Sequence, residues 1–313
     1  MNVYSKLLAL ATVFIIAIFF SYSFKTNPTI MEASTMYNDI ETLQDSLFNA
    51  YWYAGKAEIK TYHLTQSRYG ELHEGSATVI FVTEPFLKSK GVKPDRNYNT
   101  DDQVPVLKMN LLKKFGTGIY PYSMMLSTFT PLNEAEGVVK ASASGQEWCG
   151  HIFSQMNNRG DHYDVASYSY FEEEGDTQFI VPTVFAEDEI WSRIRIDYKK
   201  LPKGEMKIIP GLYYTRLEQH TLKVEKAIGE LRMGDKEAVY TITYPERERT
   251  LAITFNAEFP HDITKWEETY ADKRAPTKKL TTTAILNQSK NIDYWNYNGK
   301  QHENIRKNLG VPY

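Results

Sequence analysis

The sequence predicts a mainly β fold: a large, curved, antiparallel meander sheet, open or partly closed into a barrel, with N-terminal, central and C-terminal helices. The content of 22 Tyr and 15 Phe favours strands, because aromatic rings suit a pleated, half-buried surface. Apolar and polar residues alternate along most of the chain, and short polar turns separate the alternating runs. Such spacing is typical of hairpins, whereas parallel strands need helical crossovers, of which few are visible.

Composition limits the classes of function. The 313 residues are enough for one large domain or two modest ones. The net charge of −3 provides no cationic excess for phosphate groups, so a nucleic-acid partner is not expected. The single cysteine, Cys149, excludes an intramolecular disulfide and a cysteine-based zinc site. No internal repeat or break in composition divides the chain after the N-terminal region, so residues 36–313 are predicted to form a single β-rich domain.

The N-terminal region indicates export. Lys6 precedes an apolar stretch over residues 7–20, which as a helix spans about 21 Å, less than the roughly 30 Å hydrocarbon core of a bilayer. Residues 1–24 are therefore predicted to be a signal peptide, with an uncleaved membrane anchor as the alternative if the apolar run extends to Phe24. Residues 25–35 are predicted to be a tether. We expect an exported protein, periplasmic or membrane-anchored and facing the periplasm.

The remaining elements follow in order. Residues 36–48 have apolar positions at helical spacing, and the pattern then changes to period two. Residues 186–196 predict a central helix with an acidic first turn, and residues 291–309 a closing helical segment. About ten to twelve strands are expected, and a sheet of that width tends to curl. The predicted hairpin turns lie at Arg68–Glu71, Asn157–Asp161, Glu172–Asp176, Gly234-Asp235 and Pro245-Glu246.

Cys149 and His151 are the candidate catalytic residues. Two positions apart on a strand, they would share a face with their Cβ atoms about 6 to 7 Å apart. This spacing keeps a cysteine-dependent hydrolase open as an alternative function. The competing interpretation is a buried packing thiol beside a buried Trp148, since free cysteine behaves as a small hydrophobe.

Other chemistry is not indicated. The sequence lacks a Gly-x-Ser-x-Gly motif, a phosphate-binding loop and a dinucleotide fingerprint. Glu147, His151, His162 and Asp164 could converge around the turn at Gly160, but that hairpin would separate His151 from His162 by several strand pairs. No metal site and no cofactor are therefore predicted.

A dense aromatic and methionine segment predicts the binding function. Its side chains could line a groove for an apolar ligand or fill a core. We expect a non-enzymatic envelope protein that binds a hydrophobic or amphipathic ligand, such as an apolar small molecule or lipid, in the concave face of the sheet. A structural subunit that packs on an envelope protein partner is a further alternative. The predicted ligand-binding residues are Tyr120, Tyr122, Met124, Met125 and Phe129.

Several phrases carry a family resemblance: residues 51–58 (YWYAGKAE), 118–125 (GIYPYSMM), 146–151 (QEWCGH) and 168–172 (YSYFE). Together they resemble a family of uncharacterised exported bacterial proteins that commonly carry the label "septum formation inhibitor Maf". The genuine Maf nucleotide pyrophosphatases are cytosolic α/β proteins with a Ser-rich, Arg-containing loop after the first strand, and nothing in this sequence matches that loop. The resemblance implies export and one coherent domain, and it transfers no catalytic residue.

Overall fold

A computed structural model describes residues 45–96, 101–132 and 137–311. The predicted signal segment 1–24, the tether 25–35 and the start of the predicted N-terminal helix lie outside the described residues. Residues 45–52 are helical (α1). Residues 52–313 form one compact unit, which contains the sheet. No helix among the described residues has both the length and the apolar character needed to cross a membrane.

The predicted mainly β class is confirmed, with more strands than expected. In the described part of the chain, fifteen strands form one sheet, against the ten to twelve expected. The strands are β1 Ala57–Arg68, β2 Glu71–Leu87, β3 Gln103–Thr117, β4 Tyr120–Pro131, β5 Lys140–Glu147, β6 Gly150–Asn158, β7 His162–Ser169, β8 Thr177–Pro182, β9 Phe185–Ala186, β10 Gly204–Ile209, β11 Glu225–Met233, β12 Glu237–Tyr244, β13 Arg249–Asn256, β14 Ile263–Ala271 and β15 Lys279–Ile292.

The sheet consists of two meanders that meet at β1. β1 to β8 lie in sequence order on one side of β1, and β15 down to β9 lie on the other. Neighbouring strands are antiparallel except the short β9, which runs parallel to β10. The two edge strands, β8 and β9, are joined only by Thr183 and Val184. Since so short a link reaches at most about 11 Å, the sheet must curl until its edges approach each other. The edges are not paired, so the barrel is not closed.

The predicted hairpin turns are present. Tyr69 and Gly70, both with positive φ (56° and 76°), join β1 to β2. One segment differs from expectation: Glu147 pairs with Gly150, so Trp148 and Cys149 form the tip of the β5–β6 hairpin. Trp148 is 64% exposed and Cys149 is exposed. The prediction that both are packing residues is wrong, because a two-residue turn directs side chains into solvent.

Among the described residues, three further α-helices accompany the sheet. The predicted central helix is confirmed as a 3-10 turn over residues 187–189 followed by α2, Ile190–Asp197. A short helix, α3, covers Leu212–Leu217. We call the face of the sheet that contacts α2 and α3 the inner face. The predicted closing segment is α-helical only over α4, Glu303–Asn308, and Leu309 packs on the outer face against Ile59 and Ile292.

The helices α2 and α3, which we call the helical layer, are held on the inner face by a cluster of buried charged residues. Arg249 donates two hydrogen bonds to Glu187, both 2.6 Å long, and a third of 2.8 Å to Glu268. The Tyr244 hydroxyl donates to Glu187 over 2.6 Å. Buried ion pairs are stable only with such dense hydrogen bonding. Because Glu187 opens the segment that leads into α2, this cluster sets where that helix lies.

Candidate ligand-binding cleft

A cavity of about 240 Å³ lies between the inner faces of β6–β8 and the segment from α3 to Leu222. We call it the α3 cleft. Its sheet wall includes apolar side chains such as Ile152, Val165 and Phe179, and its helical wall includes hydroxyl and amide groups such as Thr215 and Gln219. This combination of an apolar wall and a few polar groups is characteristic of small-molecule sites.

Arg216 projects from α3 and lines this cleft. Its side chain is only 10% exposed, and its guanidinium donates to Glu147 over 2.6 Å and to Glu174 over 3.4 Å. The guanidinium also lies over the Phe171 ring, 4.8 Å from the centroid. Its Nε–H has no hydrogen-bond partner among the described residues. The cation is thus already neutralised by two carboxylates, and an added anionic group would approach both of them.

Carboxylates hold α3 at both ends. The backbone N–H of Leu212 donates to Asp188 over 3.0 Å, and beyond the helix Glu218 accepts from the backbone N–H of Lys273 over 2.7 Å. Burial raises the pKa of Asp188 to about 7, and the neighbouring Glu187 carboxylate adds to the rise. Burial likewise raises the pKa of Glu218 to about 7. The wall of the cleft is therefore anchored by two acids that titrate near neutrality.

A second cavity, of about 220 Å³, also has Arg216 and Gln219 in its lining. At its rim the Tyr120 hydroxyl donates to Glu147 over 3.0 Å and accepts from the backbone N–H of Cys149 over 2.9 Å. Desolvation, reinforced by the Glu147 carboxylate, raises the pKa of Tyr120, and the backbone N–H of Cys149 offsets part of this rise. The phenol thus remains protonated and joins the hairpin tip to Glu147.

The structure divides the five predicted ligand-binding residues between two faces. Tyr122 and Met124 are buried on the inner face, and Tyr120 lines the second cavity from the same side. Met125 and Phe129 have the opposite parity on β4 and lie on the outer face. The five residues therefore do not form one groove, because successive side chains of a strand point to opposite faces.

Cys149 and His151 are not brought together. Cys149 lines the second cavity, whereas His151 is exposed and lines a groove on the outer face. The predicted shared face required both residues to lie within one strand, but Cys149 belongs to the turn. His162 contacts Asp161 at 2.7 Å and Asp164 at 3.3 Å. Within the described residues, no group of three or more His, Cys, Asp and Glu side chains is placed to hold a metal ion.

Sequence reasoning missed the helical wall of the cleft. Arg216, Gln219 and His220 line the cleft and were not among the predicted site residues. A helix as short as Leu212–Leu217 presents fewer than two turns, which is too little for a periodic signal. No local signal in the sequence places these residues against β6–β8.

Comparisons with known proteins give little beyond the geometry. No family model matches the chain, and no curated protein matches it. Among solved structures, a beta-barrel-like protein of the domain of unknown function DUF1849 from Brucella abortus is similar with a TM-score of 0.44 and 6% identity. The similarity covers 75% of this chain and 97% of that one.

Proposed function

We propose that this chain is an exported, non-enzymatic protein that binds a small amphipathic molecule with an uncharged head group in the α3 cleft. The observation that carries the proposal is the cleft itself, a cavity of about 240 Å³ between an apolar sheet wall and a helical wall rich in hydroxyl and amide groups. Export is supported by the apolar N-terminal stretch over residues 7–20.

The charged side chains around the α3 cleft favour a ligand with an uncharged head group. Arg216 lies between Glu147 and Glu174, and Glu173 in the cleft lining pairs with Lys273 at 3.3 Å. An anionic head would approach these carboxylates, and a cationic head would approach the guanidinium. Either charge would also lose hydration on entering the cleft. An amide or hydroxyl avoids both costs and can hydrogen-bond to the polar wall.

The volume of the α3 cleft favours a short ligand. Pockets for drug-sized ligands typically measure about 300 to 1,000 Å³, and this cavity lies below that range. A single short alkyl chain with a compact head matches the volume, whereas a two-chain lipid exceeds it.

Calorimetric titration of the full chain with octanamide, octanol and octanoate tests the proposal. These probes share the alkyl chain and differ in the head group. We expect octanamide and octanol to bind saturably and octanoate to bind at least about tenfold more weakly. Absence of saturable binding by both uncharged probes, or tightest binding by octanoate, would overturn the proposal.

A filling variant locates the site. Ser167 on β7 lines the cleft, so Ser167→Leu is expected to weaken octanamide binding by about tenfold or more. Ser142 lies on the outer face of β5, and Ser142→Leu is the matched control that should leave affinity unchanged. Equal affinities for the two variants would place the ligand elsewhere.

A further inference from the structure

An open groove of about 740 Å³ crosses the outer face of β2–β6, on the opposite side of the sheet from the α3 cleft. We call it the outer groove. Five of its lining residues lie in one register row, each paired with the next across neighbouring strands. From β2 to β6 the row is Ser76, Lys114, Ser123, Gln146 and His151.

The row is a linear array of hydrogen-bonding groups. Five strands about 4.8 Å apart give it a length of about 19 Å. The two serine hydroxyls, the Gln146 amide and the His151 imidazole can each both donate and accept. Gly116 beside the row contributes no side chain, so the groove floor is open there. A ligand that matches this array is extended and carries many groups that themselves donate and accept.

Trp148 stands at one end of the groove. It is 64% exposed at the β5–β6 hairpin tip, and its ring centroid lies 5.7 Å from that of Tyr120. The Tyr120 hydroxyl is in turn bonded to Glu147 and to the backbone N–H of Cys149. The indole therefore contacts a tyrosine ring that these hydrogen bonds hold in place, and most of its own surface remains exposed. A large aromatic held in this way offers a stacking platform.

The charge of this surface distinguishes between ligand classes. In β4–β6, whose residues are all described, Lys140 is the only Lys, Arg, Asp or Glu of outward parity. The other outward positions are mostly Ser, Gln, Asn and aromatic residues. On β3, Lys114 is the only Lys or Arg among the residues that line the outer groove, whereas anionic membranes and nucleic acids are bound by clusters of Lys and Arg. The composition instead complements a neutral, polyhydroxylated molecule.

We propose that the outer groove binds a linear oligosaccharide. The apolar C–H face of one sugar ring stacks on Trp148, and the following rings lie along the row, where their hydroxyls exchange hydrogen bonds with Gln146, Ser123 and His151. This site is independent of the α3 cleft and of the small-molecule proposal.

Titration of the full chain with chitotetraose, cellotetraose and maltotetraose, followed by calorimetry, tests this inference. We expect at least one tetrasaccharide to bind saturably with a Kd of about 1 mM or tighter. Trp148→Ala should weaken that binding about tenfold, and Gln146→Ala should weaken it to a smaller extent. Trp148→Phe, which keeps an aromatic platform, should retain most of the affinity. Trp295, 43% exposed near the C-terminus, provides the control Trp295→Ala, which should bind as the parent does.

Two results would overturn the inference. One is the absence of saturable binding of all three tetrasaccharides, and the other is binding that Trp148→Ala leaves unchanged. Vesicles of phosphatidylethanolamine and phosphatidylglycerol are a parallel arm. Co-sedimentation with vesicles that depends on Trp148, without sugar binding, would assign the surface to a membrane instead.

Discussion

The inner faces of β4–β8 and β12–β14 are built from side chains of different size. Tyr240, Tyr244, Phe255, Trp266 and Tyr270 fill the inner face of β12–β14, and all are fully or almost fully buried. The inner face of β4–β8 contains many small residues, including Ala141, Ala143, Gly145, Ser154 and Ser167. Large inward side chains therefore fill the space beneath β12–β14. Small inward side chains leave space beneath β6–β8, and this space is the α3 cleft.

Charge divides the two regions in the same way. The inner face of β12–β14 buries Arg249 with Glu187 and Glu268. The outer face of the same strands carries exposed ion pairs, such as that between Lys265 and Glu267 on β14. The outer surface of β4–β6, by contrast, carries Lys140 as its one Lys, Arg, Asp or Glu. The comparison indicates that one region holds the helical layer in place and that the other contains the cavity and the groove on which the two binding proposals rest.

The largest effect is expected from breaking the ion cluster. Arg249→Met should lower the free energy of unfolding by about 3 to 5 kcal/mol, because it leaves Glu187 and Glu268 buried without their cation. Urea unfolding measures the loss. Arg232 forms an exposed ion pair with Glu230 and serves as the control. Arg232→Met should leave the urea concentration at the midpoint of unfolding unchanged. A loss at Arg249 no larger than at Arg232 would contradict a structural role for the cluster.

A cavity in the cleft region should cost somewhat less. Met156 is fully buried on the inner face of β6, and Met156→Ala should lower stability by about 2 to 4 kcal/mol. Gln155 has the opposite parity, so Gln155→Ala should have little effect. Thermal melts of the two variants check the face assignment. Equal losses would show that the parity of β6 has been assigned incorrectly.

The titration of Asp188 gives a pH-dependent effect. Its pKa is about 7 in the folded state against an ordinary value of 3.8, so the folded state keeps a proton that the unfolded state loses. This group therefore lowers stability as pH rises from about 4 to about 7. Asp188→Asn should match the parent at about pH 4 and exceed its stability by up to about 4 kcal/mol at about pH 8, since each unit of pKa difference corresponds to about 1.4 kcal/mol. Urea unfolding at several pH values measures the difference, and a constant difference across this range would contradict the raised pKa.

The smallest effects are expected at the β5–β6 hairpin tip. Since Trp148 and Cys149 are exposed, Trp148→Ala and Cys149→Ser should each change the free energy of unfolding by less than about 0.5 kcal/mol. Native alkylation of Cys149 by iodoacetamide should be complete under conditions that leave the fold intact. A loss of several kcal/mol, or a protected thiol, would restore the packing interpretation that the structure overturned.

The burial of some charged residues could be predicted from the sequence. Arg249 shares parity with Leu251, Ile253 and Phe255, so a strand with that apolar face must turn a guanidinium inward. Glu268 lies in the same way between Trp266 and Tyr270. A charged residue in register with an apolar alternation predicts burial and hence a partner. The partner itself, Glu187, could not be predicted because it lies 62 residues away.

The sequence by itself determined the β class, the hairpin turns and the central helix, because period-two alternation, turn residues and an acidic first turn act over a few neighbouring residues. It also determined which residues share a face once a strand is placed. Only the tertiary structure decided that Trp148 and Cys149 form a turn, that α3 closes a cleft against β6–β8, and that Ser76 and His151 fall in one row. Those features depend on strand register and on contacts between distant segments, which no local pattern encodes.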